Sequence, residues 1–178
     1  MKPLIILIVF AASLGNLKAQ KIYSTKTGRI TFFSSTPIQD IEAKTSEVES
    51  KLASNGQIAF TLLIKGFQFE NQKMEDDFNE DYMESTKYPK ANFKGNVTNI
   101  SNINLSKDGT YPAKVRGELT IHGVTKEITS DGTIEVKGAK VIAKSKFNIA
   151  VKDFNIGGAL IGKKIASALA INVDCEYE

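Results

Sequence analysis

Four places in this sequence carry residue types whose spacing could do chemistry. Gly157, Gly162 and Lys163 repeat the spacing of a phosphate-binding loop, in which backbone N–H groups and the lysine hold phosphate oxygens. Lys164 stands where that loop needs Ser or Thr to reach magnesium, and the loop works only between a parallel strand and a crossover helix. Asp77, Asn79 and Asp81 imitate the first ligands of a calcium loop, yet Tyr82 replaces the turn glycine and Tyr88 the bidentate Glu. His122, the single histidine, is the one side chain able to change charge near neutral pH in an ordinary environment. No sequence feature supplies it with a nucleophile or an orienting partner. Followed by Gly123, it fits a tight turn instead, because His is enriched at positive φ. Cys175, the single cysteine, alternates with Val173 and Tyr177 and reads as a small buried hydrophobe.

Composition narrows the function classes further. One Cys and one His make neither a closed zinc site nor an intramolecular disulfide, so no metal is expected and the fold must rest on an apolar core. With 23 basic and 20 acidic residues the surplus is only +3, too small for a partner bound through phosphate neutralisation, and nucleic acid is not expected as a partner. At 178 residues and 42% apolar content, one domain with a sizeable core is expected. Residues 1–19 read as a secretory signal peptide: Lys2 gives a positive start, residues 4–14 an apolar run, and Ala19 a small residue for cleavage. That run is too short to span a bilayer, no second candidate follows, and the single Cys lies far from its end, where it cannot accept a lipid anchor. The expected mature domain is 20–178, periplasmic or secreted, with no transmembrane span.

The elements that would position these residues are mostly strands. Period-two alternation puts Ile30, Phe32 and Ser34 on one face, Ile58, Phe60, Leu62 and Ile64 on another, and Ala91, Phe93, Gly95 and Val97 on a third. Val141, Ala143, Ser145, Phe147 and Ile149 repeat the pattern, as do Leu169, Ile171, Val173, Cys175 and Tyr177. Between Ile41 and Leu52 the alternation changes phase, which predicts a bulge near Ser46 and Glu47. His122-Gly123 predicts a two-residue hairpin with Ile121 opposite Val124, Gly117 opposite Ile128 and Tyr111 opposite Ile134. Met74, Phe78 and Tyr82 recur at helical spacing and predict an acidic amphipathic helix over 72–85. A Gly-rich, partly helical stretch is expected over 157–168. About eight antiparallel strands with an inserted helix make a barrel or a sandwich.

The interior faces carry the candidate site. Phe60, Leu62, Phe93, Leu119, Ile121, Phe147 and Ile149 point inward from strands, while Phe67 and Phe69 precede the helix, Phe78 and Tyr82 line its apolar side, and Phe154 follows a strand. An eight-stranded barrel has the size at which the interior is either just filled or holds one small ligand, and composition leaves both open.

Two stretches carry a family resemblance: Met74-Glu75-Asp76-Asp77-Phe78 through Tyr88-Pro89-Lys90-Ala91-Asn92-Phe93, and Gly117-Glu118-Leu119-Thr120-Ile121-His122-Gly123-Val124-Thr125-Lys126. With them the chain resembles the YceI family of secreted, lipocalin-like lipid-binding proteins, from near Ile22 to Tyr177. A third family element, a basic residue followed by x-Asp-Phe-Gly, is kept only as Asp153-Phe154, with Asn155 in the glycine position and Lys152 directly before the pair. The resemblance implies an all-β, eight-stranded antiparallel barrel with a short acidic helix inserted between strands. It implies that the twelve interior residues wall a pocket for a polyisoprenoid, quinone or fatty-acid derivative, bound without catalysis and with no cofactor. A filled barrel acting through its surface in an envelope stress response, and an enzyme acting on lipid through His122 or the acidic helix, are the alternatives. A homodimer is left open.

Overall fold

The computed structural model describes residues 20–178; the expected signal segment lies outside the described residues. Strands β1 (Ile22–Ser35), β2 (Asp40–Ala53) and β3 (Gln57–Leu63) are followed by the two-residue β4 (Gln68–Phe69). After α1 (Gln72–Asp77) come β5 (Lys90–Val97), β6 (Gly109–Ile121), β7 (Val124–Lys137), β8 (Lys140–Ala150) and β9 (Ala168–Tyr177). Every long strand pairs antiparallel with its neighbours in the chain, and β1 pairs with both β2 and β9. That last pairing closes the sheet. The eight long strands therefore form a closed barrel, and β4 is a short addition to β2 at Ala43 and Lys44.

Registers follow the hydrophobic pattern. In the β6–β7 hairpin Ile121 faces Val124, Gly117 faces Ile128 and Tyr111 faces Ile134, with His122 at φ +51° and Gly123 at φ +73° forming the turn. Two positive φ values in a two-residue loop match the right-handed twist of the flanking strands. The phase change in β2 is a bulge: between Gly28↔Val48 and Ile30↔Thr45, Ser46 and Glu47 stand opposite Arg29 alone. A second, opposite irregularity sets Lys26 and Thr27 against Glu49 and restores the register. Its only inward marker is Gly28, which carries no side chain to reveal the phase. A Cβ on Gly28 would come within 2.5 Å of the Cys175 sulfur. Gly28→Ala is accordingly expected to lower stability by about 1–3 kcal/mol through overpacking. Thermal melts of Gly28→Ala, Cys175→Ala and the double variant should show a combined loss smaller than the two single losses together.

Two expectations are corrected. The helix expected over 72–85 is regular only to Asp77; Asn71 caps it by accepting from the Met74 N–H at 3.0 Å. Phe78–Tyr82 then widens into a π turn, closed by the Met83 N–H donating to the Phe78 carbonyl at 2.9 Å. Within it the Asn79 amide donates to the Glu75 carbonyl at 2.9 Å, a side-chain bond that competes with the helical ladder. The stretch 157–168 holds turns and an Ile161–Ile165 bridge rather than helix, and Gly162 at φ +80° interrupts any helical run. With neither a parallel strand before it nor a helix after it, this segment lacks the frame of a phosphate-binding loop.

The core divides along the barrel axis. The lower end, which carries the connections 54–56, 98–108 and 138–139, is packed by Tyr23, Leu52, Val97, Ile103, Cys175 and Tyr177. Phe32, Ile64, Phe67, Met83, Val151, Phe154 and Ile156 cluster at the upper end, beneath α1 and the long connection between β8 and β9. Tyr177 has no exposed surface, and its hydroxyl meets Ser50 Oγ at 2.8 Å. Burial pushes that phenol far above its ordinary pKa, so it stays neutral.

Candidate functional site

Between the two clusters lies a cavity of about 180 Å³. Each long strand except β2 contributes its inward-pointing phase: Ile30 and Phe32 from β1, Phe60 and Leu62 from β3, Phe93 from β5, Val115 and Leu119 from β6, Ile128 from β7, Phe147 and Ile149 from β8, Ile171 and Val173 from β9. Among the polar lining residues, Ser130 and Ser145 satisfy one another: their hydroxyls are 2.6 Å apart, and Ser145 also donates to the Asp131 carbonyl at 2.9 Å. An apolar cavity of roughly 150 Å³ stays dry and accepts a molecule of benzene size, so this one is a dry site rather than a water channel.

Above it a second pocket of about 410 Å³ opens toward solvent. Phe32, Phe78, Met83, Ile156 and Leu169 line both spaces and so form the layer between them. Phe78 stacks on Phe32 at 5.5 Å and leans on Phe69 at 4.9 Å and Phe67 at 5.8 Å, which roofs the barrel with aromatic rings. The upper pocket adds Ser34, Gln39, Asn71, Lys73 and Lys164, so its wall is amphipathic where the lower cavity is not. A ligand with an apolar chain and a polar head would match that gradient.

Of the residues expected to wall a pocket, Phe60, Leu62, Phe67, Phe78, Phe93, Leu119, Ile121, Phe147 and Ile149 line the lower cavity. Phe69 and Tyr82 line the upper pocket with Phe78. Phe154 is placed differently: it is 2% exposed, packed in the upper core, and lines neither space. Asn155 behind it takes φ +55°, so Asn supplies the left-handed conformation that glycine would otherwise provide. Met83 and Ile156, which line both spaces, were not legible beforehand, since both follow irregular backbone where no period applies. Phe32 was readable as inward-facing but not as part of the site.

The remaining chemical candidates resolve into structural roles. Cys175 lies in the lower core, away from the upper-end turn of His122, and burial pushes its thiol up to about 12. Asp77 is paired with Lys73 at 2.8 Å and Asn79 is turned to backbone, so the calcium-like spacing assembles no ligand set. His122 does more than turn the chain. Its Nε2 meets Glu84 Oε2 at 2.9 Å, its Nδ1 meets the Phe154 carbonyl at 3.2 Å, and the Tyr88 ring packs edge-on at 4.5 Å. With both nitrogens engaged and the side chain only 10% exposed, neither is positioned to take a proton from a substrate.

A closed meander barrel with a roofed apolar cavity invites comparison with known proteins. A YceI-like domain profile matches residues 15–177. The chain belongs to the YceI-like domain family. Among solved structures, this YceI-like chain is similar to a polyisoprenoid binding domain from Saccharophagus degradans implicated in plant cell wall breakdown, with a TM-score of 0.77 at 13% identity, covering 88% of this chain and 97% of that one. Burkholderia cenocepacia BcnA gives a TM-score of 0.70 at 18% identity, covering 85% and 96%. The Campylobacter jejuni YceI protein gives 0.62 at 20% identity, covering 81% and 88%. At these identities the likeness concerns the fold. Comparison with curated protein sequences gives no match.

Proposed function

We propose that this YceI-like protein binds one long-chain amphiphile, its apolar chain in the barrel and its polar head in the upper pocket, and that it does so without catalysis. The observation that carries this reading is an apolar cavity stacked directly beneath an amphipathic pocket, the two sharing a layer of five apolar side chains that must part to let a chain pass. Each buried methylene contributes about 0.8 kcal/mol, so a chain long enough to thread both spaces binds tightly without directed polar contacts. Family membership and the polyisoprenoid-binding description of the Saccharophagus degradans domain favour an isoprenoid chain among the candidates. Engagement of both His122 nitrogens and the raised thiol of Cys175 weigh against an enzyme.

Mass spectrometry of an organic extract from purified protein tests the proposal. The expected result is an apolar chain in about one copy per barrel. An extract free of lipid, together with no uptake of an added isoprenoid alcohol, would instead make the interior aromatics ordinary core and favour the surface-acting alternative. Binding outside the cytoplasm completes the proposal, with residues 1–19 removed on export and the protein released into the periplasm or secreted. No helix among the described residues is long and apolar enough to cross a membrane. Sequencing of the exported protein should give a first residue at or near Gln20, and retention of residues 4–14 would overturn the export reading.

A further inference from the structure

The barrel wall has a seam between β7 and β8. The β7–β8 ladder runs from Lys137↔Lys140 only as far as Gly132↔Ser145. Beyond it residues 124–131 of β7 pair with β6 alone, and residues 146–150 of β8 with β9 alone. The paired Ser130 and Ser145 hydroxyls mark the point where the strands part. Ile128 on one lip and Phe147 and Ile149 on the other line the cavity, so separating the lips exposes it sideways.

A short plug closes this seam. At the end of β8 the chain bends into the 3₁₀ turn Val151–Phe154, which packs against β7 and buries Val151 and Phe154 to 3% and 2% exposure. This accounts for Phe154, which is buried yet lines neither space. The plug's far end is tied to the hairpin turn by the His122 contact with the Phe154 carbonyl. The non-glycine residues described with positive φ are Glu84, His122 and Asn155, and all three meet at this one imidazole: Glu84 bonds it, and Asn155 directly follows the bonded carbonyl. Positive φ in residues other than glycine persists where the surrounding structure holds it.

The contact depends on charge. Both partners of the ring, a carboxylate and a carbonyl, are acceptors, so only an imidazolium with two N–H donors satisfies both. In the neutral ring the single proton goes to the stronger, charged acceptor Glu84, and the bond to Phe154 is lost. Lys87, 3.7 Å from Glu84, is the other charged group at this contact. Tyr88 presents its ring edge, while Lys152 and Asp153 on the plug and Lys126 on β7 are exposed.

We propose that the amphiphile exchanges through the side wall of the barrel, by the seam between β7 and β8, and that the His122 imidazolium latches the plug Val151–Phe154 that closes it. The proposal rests on the ligand-binding reading above and adds the route and its control. Its test follows uptake and release of a fluorescent isoprenoid alcohol by the wild type, His122→Asn and Glu84→Gln. Asn tolerates positive φ, so the hairpin turn is kept. His122→Asn should raise the association and dissociation rates together about tenfold, the scale of one charge-assisted hydrogen bond. The dissociation constant should stay unchanged, because His122 does not line the cavity. Glu84→Gln should give a smaller acceleration and decides the matter if His122→Asn does not fold. Hydrogen exchange in the faster variant should quicken in residues 124–131 and Val151–Phe154. Unchanged rates, or quickening confined to α1 and the π turn, would overturn the side route in favour of exchange through the upper end. A wild type that takes up no probe would instead overturn the binding reading itself.

Discussion

Phe93→Asp should abolish uptake of an apolar chain, the largest functional effect expected of any single substitution in the cavity. Phe93 is 8% exposed, its ring lies 6.0 Å from that of Phe60, and it lines the cavity near mid-barrel. It rests on a cross-strand glycine pair: a Cβ on either Gly95 or Gly117 would come within 2.7 Å of the ring. A carboxylate there faces no cation, so it either stays charged at a high desolvation cost or takes up a proton. Either form interrupts the dry surface a hydrocarbon chain needs. Phe93→Leu keeps an apolar side chain and should bind within a fewfold of wild type. The comparison is made by titrating a fluorescent isoprenoid alcohol into proteins whose far-ultraviolet circular dichroism matches wild type. Undiminished uptake by folded Phe93→Asp would mean that the ligand does not occupy the barrel.

Tyr177→Ala should produce the largest loss of stability. This side chain closes the lower end with no exposed surface and joins β9 to β2 through its hydroxyl contact with Ser50. Truncation leaves a cavity in the cluster formed with Tyr23, Leu52 and Val97, at about 3–5 kcal/mol. For a domain of this size each kcal/mol shifts the melting midpoint by about 2–4 °C, so a drop of roughly 10 °C is expected. Tyr177→Phe should cost only about 1 kcal/mol, because Ser50 Oγ still donates to the Ala59 carbonyl at 2.9 Å. Urea titrations of the three proteins check the ranking. Equal losses for Ala and Phe would show that the hydroxyl, not the packed ring, holds that end together.

Tyr177 also ties stability to alkaline pH. Its folded pKa lies above the unfolded value of about 10, so its contribution is fully present below that value and is lost as pH rises further. Wild type should therefore lose stability above about pH 10, and Tyr177→Phe should lose less of it over the same range. Parallel urea midpoints for the two proteins across that range would contradict the buried-phenol account.

Legibility in the sequence tracked how locally each feature is encoded. The hairpin at His122-Gly123 was readable to the residue pair because turn chemistry and strand alternation are both short-range and agree. The β2 bulge was readable because Thr45 and Val48 are both buried at separations a continuous strand forbids. Its counterpart at Lys26 and Thr27 was hidden, since the inward residue that marks it is a glycine. The helix was overextended because Met74, Phe78 and Tyr82 keep helical spacing whether the backbone between them is α or π. The local side-chain bond from Asn79 to the Glu75 carbonyl accompanies the change, and no apolar period reveals it.

What the sequence by itself determined is the set of faces: which residues point inward and where strands turn. Alternation is a property of consecutive residues, so it needs no knowledge of partners. Whether the inward faces close on themselves was decided by the β1–β9 pairing, between segments at opposite ends of the chain. The hollow at the centre, the layer through Met83 and Ile156 above it, and the meeting of Glu84, His122 and Phe154 around one imidazole were decided there too. These depend on distances between residues far apart in sequence. Such distances are fixed only when strand tilt and loop path bring the segments to one end of the barrel.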